Sequence, residues 1–174
     1  MTDRLSHVAE SGEARMVDVS PKDETRRVAR ASGSIRMKPE TLAAIVNAQM
    51  KKGDVLGTAR IAAVMAAKRT ADLIPLCHPL ALTDVQVELT ADESLPGIRA
   101  LVSVSTFGRT GVEMEAMTGV SVALLTVYDM AKAMDRGMTI SDISLAYKSG
   151  GVGGEYSRLD GIPNASYPES ASTK

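Results

Sequence analysis

Two runs of strict apolar–polar alternation joined by a turn limit what this chain can fold into. Val85, Val87 and Leu89 alternate with Asp84, Gln86 and Glu88, the period-two signature of a strand with one wet face and one buried face. Glu93-Ser-Leu-Pro-Gly97 reads as a turn, and Ile98, Ala100, Val102 and Val104 then repeat the alternation. The pair is a β-hairpin, closed by Gly108-Arg-Thr-Gly111. A sheet with one apolar face has to be covered. The flanking segments supply the cover. Pro39 opens a helix over Glu40–Gln49, with Leu42, Ile45 and Val46 on one face, and Lys51-Lys52-Gly53-Asp54 breaks it. A second, alanine-rich helix runs from Val55 to about Arg69, with Ile61, Val64, Met65 and Lys68 in helical spacing. A long helix runs from Val112 to about Arg136, ended by Gly137 as C-cap.

Further strands are expected at Ser32–Lys38 and Thr139–Tyr147. A charged helix, capped by Ser20 with Pro21 in its first turn, is expected up to about Arg30. The order is strand, helix pair, strand, strand, helix, strand. That is the α+β, ferredoxin-like split βαβ sandwich: an antiparallel sheet with helices on one face. The fold hosts many functions and selects none of them.

Composition removes several classes. Aromatics are 3%, with no Trp and a single Phe, so the core is built from Ala, Val, Leu, Ile and Met. An RNA-recognition domain stacks bases on sheet aromatics, but Val102-Ser-Val-Ser105 stands where those would be. A net charge of −1 also disfavours nucleic acid. A single cysteine forms no internal disulfide, which fits a reducing cytoplasm. No apolar run reaches membrane-spanning length, and Val120–Val127 soon meets Asp129 and Lys132. The expectation is one domain over 1–158, with a mobile arm at 1–16 and a disordered polar tail at 159–174.

Four groups could hold chemistry. Asp72-Leu-Ile-Pro-Leu-Cys-His-Pro-Leu80 presents Cys77 and His78 between Pro75 and Pro79, as a stiff connector rather than a helix interior or central strand. It is either a structural loop with a packed thiol or a site for acid–base or anion chemistry. Lys52 stands before a helix N-terminus, a place suited to phosphate or carboxylate. Glu113 and Glu115 open the long helix, where the macrodipole alone explains acidic residues. Further along, Asp129 and Lys132 share a face and follow a stretch that is apolar nearly all round, which implies burial. They form either a structural bridge or a general acid–base couple. Lys148-Ser-Gly-Gly-Val-Gly-Gly154 offers backbone amides and a lysine to an anion. Together Lys52, His78, Asp129, Lys132 and Lys148 suit a phosphorylated small molecule, with no metal cluster.

The motifs Lys52-Gly-Asp54, Thr58-Ala-Arg-Ile61, Ala66-Ala-Lys-Arg-Thr70, Asp72–Leu80, Thr110-Gly-Val-Glu-Met-Glu-Ala116, Tyr128-Asp-Met130 and Lys148-Ser-Gly-Gly151 resemble those of the cyclic pyranopterin monophosphate synthases, over residues 11–155. The resemblance implies a lyase of molybdenum-cofactor biosynthesis. Its substrate would be the cyclic dihydroguanosine triphosphate made by a radical S-adenosylmethionine GTP cyclase, and diphosphate would be released. By position, Asp129 matches the family's catalytic acid–base residue, with Lys132 beside it. Leu76, Cys77, His78, Met114 and Glu115 match substrate-binding positions. Lys52 and Lys148 match lysines near the triphosphate and the reacting atoms, Glu113 lines the same pocket, and Arg26 is a further match. The resemblance also implies hexamers of three dimers with the site at a dimer interface. It implies no cofactor, beyond magnesium that could accompany the triphosphate. The alternative function is a non-catalytic sensor that binds a phosphorylated metabolite between subunits.

Overall fold

The structure, a computed structural model, describes residues 14–158. The arm expected at 1–16 lies almost wholly outside that span, and the expected tail lies entirely outside it. Five strands form one antiparallel sheet in the order β2-β3-β1-β4-β5: β1 Thr25–Arg36, β2 Leu82–Asp92, β3 Gly97–Gly108, β4 Thr139–Ser149 and β5 Tyr156–Ser157. The helices are α1 Pro39–Val46, α2 Val55–Lys68, α3 Thr70–Leu73 and α4 Glu113–Ala131. The first four strands and the two long helices are the expected ferredoxin-like sandwich. No helix among the described residues is long and apolar enough to cross a membrane.

The hairpin forms in the register its alternation demands, with Val85 opposite Val104, Val87 opposite Val102 and Leu89 opposite Ala100. Val102, Val104 and Ile98 are fully buried on the sheet face that α4 covers. Small residues let the two layers close. In β1, Gly33 passes beneath α4, and a Cβ there would stand 2.8 Å from Val120 Cγ1 and 3.0 Å from Leu124 Cδ1.

Four expectations are corrected. The helix expected from Ser20 to about Arg30 is not one: Ser20-Pro21-Lys22 is a turn, and Thr25 onward belongs to the twelve-residue β1. Ala29 and Ala31 are fully buried there between β3 and β4, so central pairing overrides the local cap signal. The long helix ends at Ala131 rather than about Arg136. Gly137 is not among the residues with positive φ; it follows a turn and donates its N–H to Asp135 Oδ1 at 2.9 Å. On α2 the buried face is Val55, Ala59, Ala63, Ala66 and Ala67, whereas Ile61 and Met65 point outward at 65% and 55% exposure. On α1, Val46 is likewise exposed while Leu42 and Ile45 are buried.

Candidate functional site

The candidate residues gather in two clusters at opposite ends of α4. Glu113 and Asp129 are sixteen positions apart on this helix, which is about 24 Å along its axis at roughly 1.5 Å per residue. α2 packs beside α4, so each cluster also draws on one end of α2.

At the C-terminal end, Asp129 is held by two lysines. Lys132 Nζ donates to its Oδ1 at 2.7 Å. Lys52 Nζ donates to its Oδ2 at 2.8 Å and to its backbone carbonyl at 2.9 Å. The Lys132 hydrogen bond, then the Lys52 one, lowers the Asp129 carboxyl to about 2. The Lys132 ammonium is raised by the same partner. The expected burial is absent from the protomer, since the Asp129 side chain is 57% exposed. Leu125, four residues earlier, is exposed as well, while Val120, Ala123, Leu124 and Val127 are fully buried, so the apolar stretch is open on one side only. Lys52, Tyr128, Asp129, Lys132, Ala133 and Arg136 line an open cavity of about 300 Å³.

Lys52 reaches this cluster through Asp129 rather than through the amides of α2. One of those amides is already served: Asp54 caps the helix, accepting from Gly57 N at 2.8 Å. Gly53, at φ 86°, makes the reversal that lets Lys52 turn toward α4.

At the N-terminal end of α4, Glu113 receives Lys148 Nζ at 3.2 Å. A β-bulge makes this pairing possible. β4 slips register opposite Arg30/Ala31, so that Leu145 faces Ala31 while Lys148 faces Ala29. Both therefore lie on the helix-covered side. Arg27 pairs with the buried Thr106 and so emerges on that side too. Its Nε donates to Gly108 O at 3.2 Å and its Nη2 to Arg109 O at 3.3 Å. Gly151, at φ 75°, lies where any Cβ would overlap the Arg27 guanidinium. Lys22, Arg27, Arg109, Glu113 and Lys148, with the glycine loop, line a polar cavity of about 210 Å³.

The Cys-His loop belongs to this same end. α3 and the turn Cys77 N–H to Ile74 O, 3.0 Å, bring Leu76, Cys77 and His78 back toward α4, all half-buried. Burial, then the nearby Glu115, pushes the Cys77 thiol up, which makes it a packed group rather than a nucleophile. Glu115 is only 5% exposed, and desolvation raises its carboxyl. His78 lies close enough to Asp18 to help hold that carboxyl down, after the hydrogen bonds from Ser20. Met114 is half-exposed on the same first turn.

Arg26 is not in either cavity. It is exposed, and with its cross-strand neighbour Phe107 it lies on the sheet face away from the helices. Arg27 takes the place expected of it. Strand parity is the signal for this: Ala29, Ala31 and Ile35 face the helices, so an odd-numbered neighbour shares their side. Among the described residues, no group of His, Cys, Asp or Glu could hold a metal ion.

A profile of the MoaC family matches residues 16–151. The chain belongs to the MoaC family. A protein of Brucella ovis named cyclic pyranopterin monophosphate synthase is 58% identical over 160 residues, covering 92% of this chain and 97% of that relative. Every block that gave the sequence resemblance thus falls on one or other end of α4, or on the α2 segment that joins them.

Proposed function

We infer that the protein is a lyase of molybdenum-cofactor biosynthesis that converts cyclic dihydroguanosine triphosphate to cyclic pyranopterin monophosphate with release of diphosphate. The observation that carries this reading is Asp129, clasped between Lys52 and Lys132 in an open cavity, in a chain of this family. The overall change has two parts: the purine-derived ring opens and the pyrazine ring closes, and a substrate hydroxyl displaces diphosphate at phosphorus, closing the cyclic monophosphate. Its proton needs an acceptor, and the departing diphosphate needs positive charge. Asp129 and Lys132 serve the proton transfers. Lys148, Arg27, Lys22 and Arg109 form the cationic pocket for the polyphosphate, with Glu113 holding Lys148 in place. Leu76, His78, Met114 and Glu115 shape the adjoining wall. Proton transfer and phosphate departure need no resident cofactor, and any magnesium arrives on the triphosphate.

One substrate cannot touch both clusters within a single protomer, because about 24 Å of helix separates them. We therefore place the working site between subunits, with the N-terminal cluster of one meeting the C-terminal cluster of another. Antiparallel packing of the outer helix face across a two-fold axis accomplishes this twice. That face carries Ile61, Met65 and Leu125, each more than half exposed, as an apolar seam. Enclosure would also strip water from Asp129 and Lys132, raising the carboxylate and lowering the ammonium toward the range where protons exchange. Three such dimers give the hexamer. A radical S-adenosylmethionine GTP cyclase would supply the substrate, in the cytoplasm.

The test is turnover. Incubation with cyclic dihydroguanosine triphosphate should release diphosphate. Asp129→Asn and Lys132→Ala should each lose about 10²–10⁴-fold in kcat, as loss of a general acid–base group does, while thermal unfolding stays near wild type. Near-normal product formation in either variant defeats the assignment. Binding without diphosphate release would make the protein a sensor.

A further inference from the structure

Among the described residues lining the C-terminal cavity, Arg136 is the one cation whose charge is not already engaged. Lys52 and Lys132 each occupy a different oxygen of Asp129, so both lysine charges are already paired with that carboxylate. Arg136 lines the same cavity. Among the described residues its guanidinium has neither an ion pair nor a hydrogen bond.

The backbone that presents Arg136 is nevertheless held at three points. Tyr128, from within α4, donates its hydroxyl to Arg136 O at 3.2 Å. Asp135, only 4% exposed, accepts from Gly137 N with one oxygen and from Lys38 N, at the head of α1, with the other, both at 2.9 Å. A buried carboxylate spent on two backbone N–H groups fixes the chain where it leaves α4. An exposed turn needs no such fastening for its own sake. Its effect is to hold Arg136 beside Asp129 with its donors open to the cavity. A guanidinium offers a planar fork of donors suited to phosphate.

We propose that Arg136 is a further substrate-binding residue of this cavity, that it grips a phosphate oxygen, and that Asp135 is the positioning residue that aims it. The proposal rests on the lyase reading above. In the full-length protein, Arg136→Gln should raise KM for cyclic dihydroguanosine triphosphate about tenfold, the loss expected for one charge-assisted hydrogen bond. Its kcat should move by less than about twofold, since binding of this kind is uniform between ground and transition states. Arg136→Lys should recover most of the KM, because the charge returns without the fork. Inorganic diphosphate, as a competitive inhibitor, should weaken in parallel with substrate for Arg136→Gln. Asp135→Asn should raise KM in the same sense but leave the residual effect of Arg136→Gln unchanged when the two are combined. A KM within about twofold of wild type for a folded Arg136→Gln overturns the proposal. So does a double variant whose losses simply add, as independent sites do. An inactive wild-type protein would instead overturn the lyase reading, so the two failures are distinguishable.

Discussion

Asp129 and Glu115 stand on one helix, and their surroundings push them in opposite directions. Two lysines lower Asp129 to about 2, whereas burial raises Glu115. A carboxyl whose folded pKa is raised contributes stability that is fully present below the unfolded value of 4.5. That contribution disappears as pH rises through the folded pKa. Glu115→Gln removes the titration, so the variant should unfold at a higher temperature than wild type at neutral pH. The gap should close as the pH falls toward 4. Thermal melts across a pH series decide it, and a gap that is constant with pH would place the strain elsewhere. Arg26 and Arg27 teach a related lesson. Adjacent on a strand, they emerge on opposite faces of the sheet, and one of them enters the cavity beside Lys148.

Among the elements, α4 is the ruler of the molecule and β1 its bed. α4 lies close on β1 because position 33 lacks a side chain. Gly33→Val should overpack Val120, Leu124 and Ile143 and cost about 1–3 kcal/mol. That is a fall in melting temperature of roughly 3–10 °C for a chain of this size. An unchanged melt would mean that the helix can lift off the sheet at no cost. The strand β1 was the element least legible in the sequence. Its buried apolar side chains are Ala29, Ala31 and Ile35, with Gly33 between them. Alanine and glycine give alternation too weak to outvote a Ser-Pro helix start and a run of charges. The hairpin was legible because valine and leucine mark its buried face unmistakably.

The two ends of α4 become one site only if the whole molecule includes a second chain. Light scattering should give a mass above the 18.3 kDa of one chain. Leu125→Glu on the outer seam should lower both that mass and the turnover. Complementation tests the shared site most directly. Lys148→Ala disables the N-terminal cluster and Lys132→Ala the C-terminal one. Co-expressed in equal amounts, the two should recover about a quarter of wild-type activity. Half of randomly paired dimers are then mixed, and each mixed dimer keeps one intact site of two. No recovery above either variant alone would put both clusters to work within a single chain.

By itself the sequence determined the antiparallel hairpin, the helix pair, the ferredoxin-like order and the residue types that bear the chemistry. These follow from local periodicity and from motifs that are contiguous along the chain. Tertiary structure alone decided which of these residues meet. The β4 bulge turns Lys148 toward Glu113, the reversal at Gly53 lets Lys52 reach Asp129, and the pinned turn brings Arg136 into the same cavity. Each of these brings together segments distant in sequence, and a one-dimensional pattern carries no record of it.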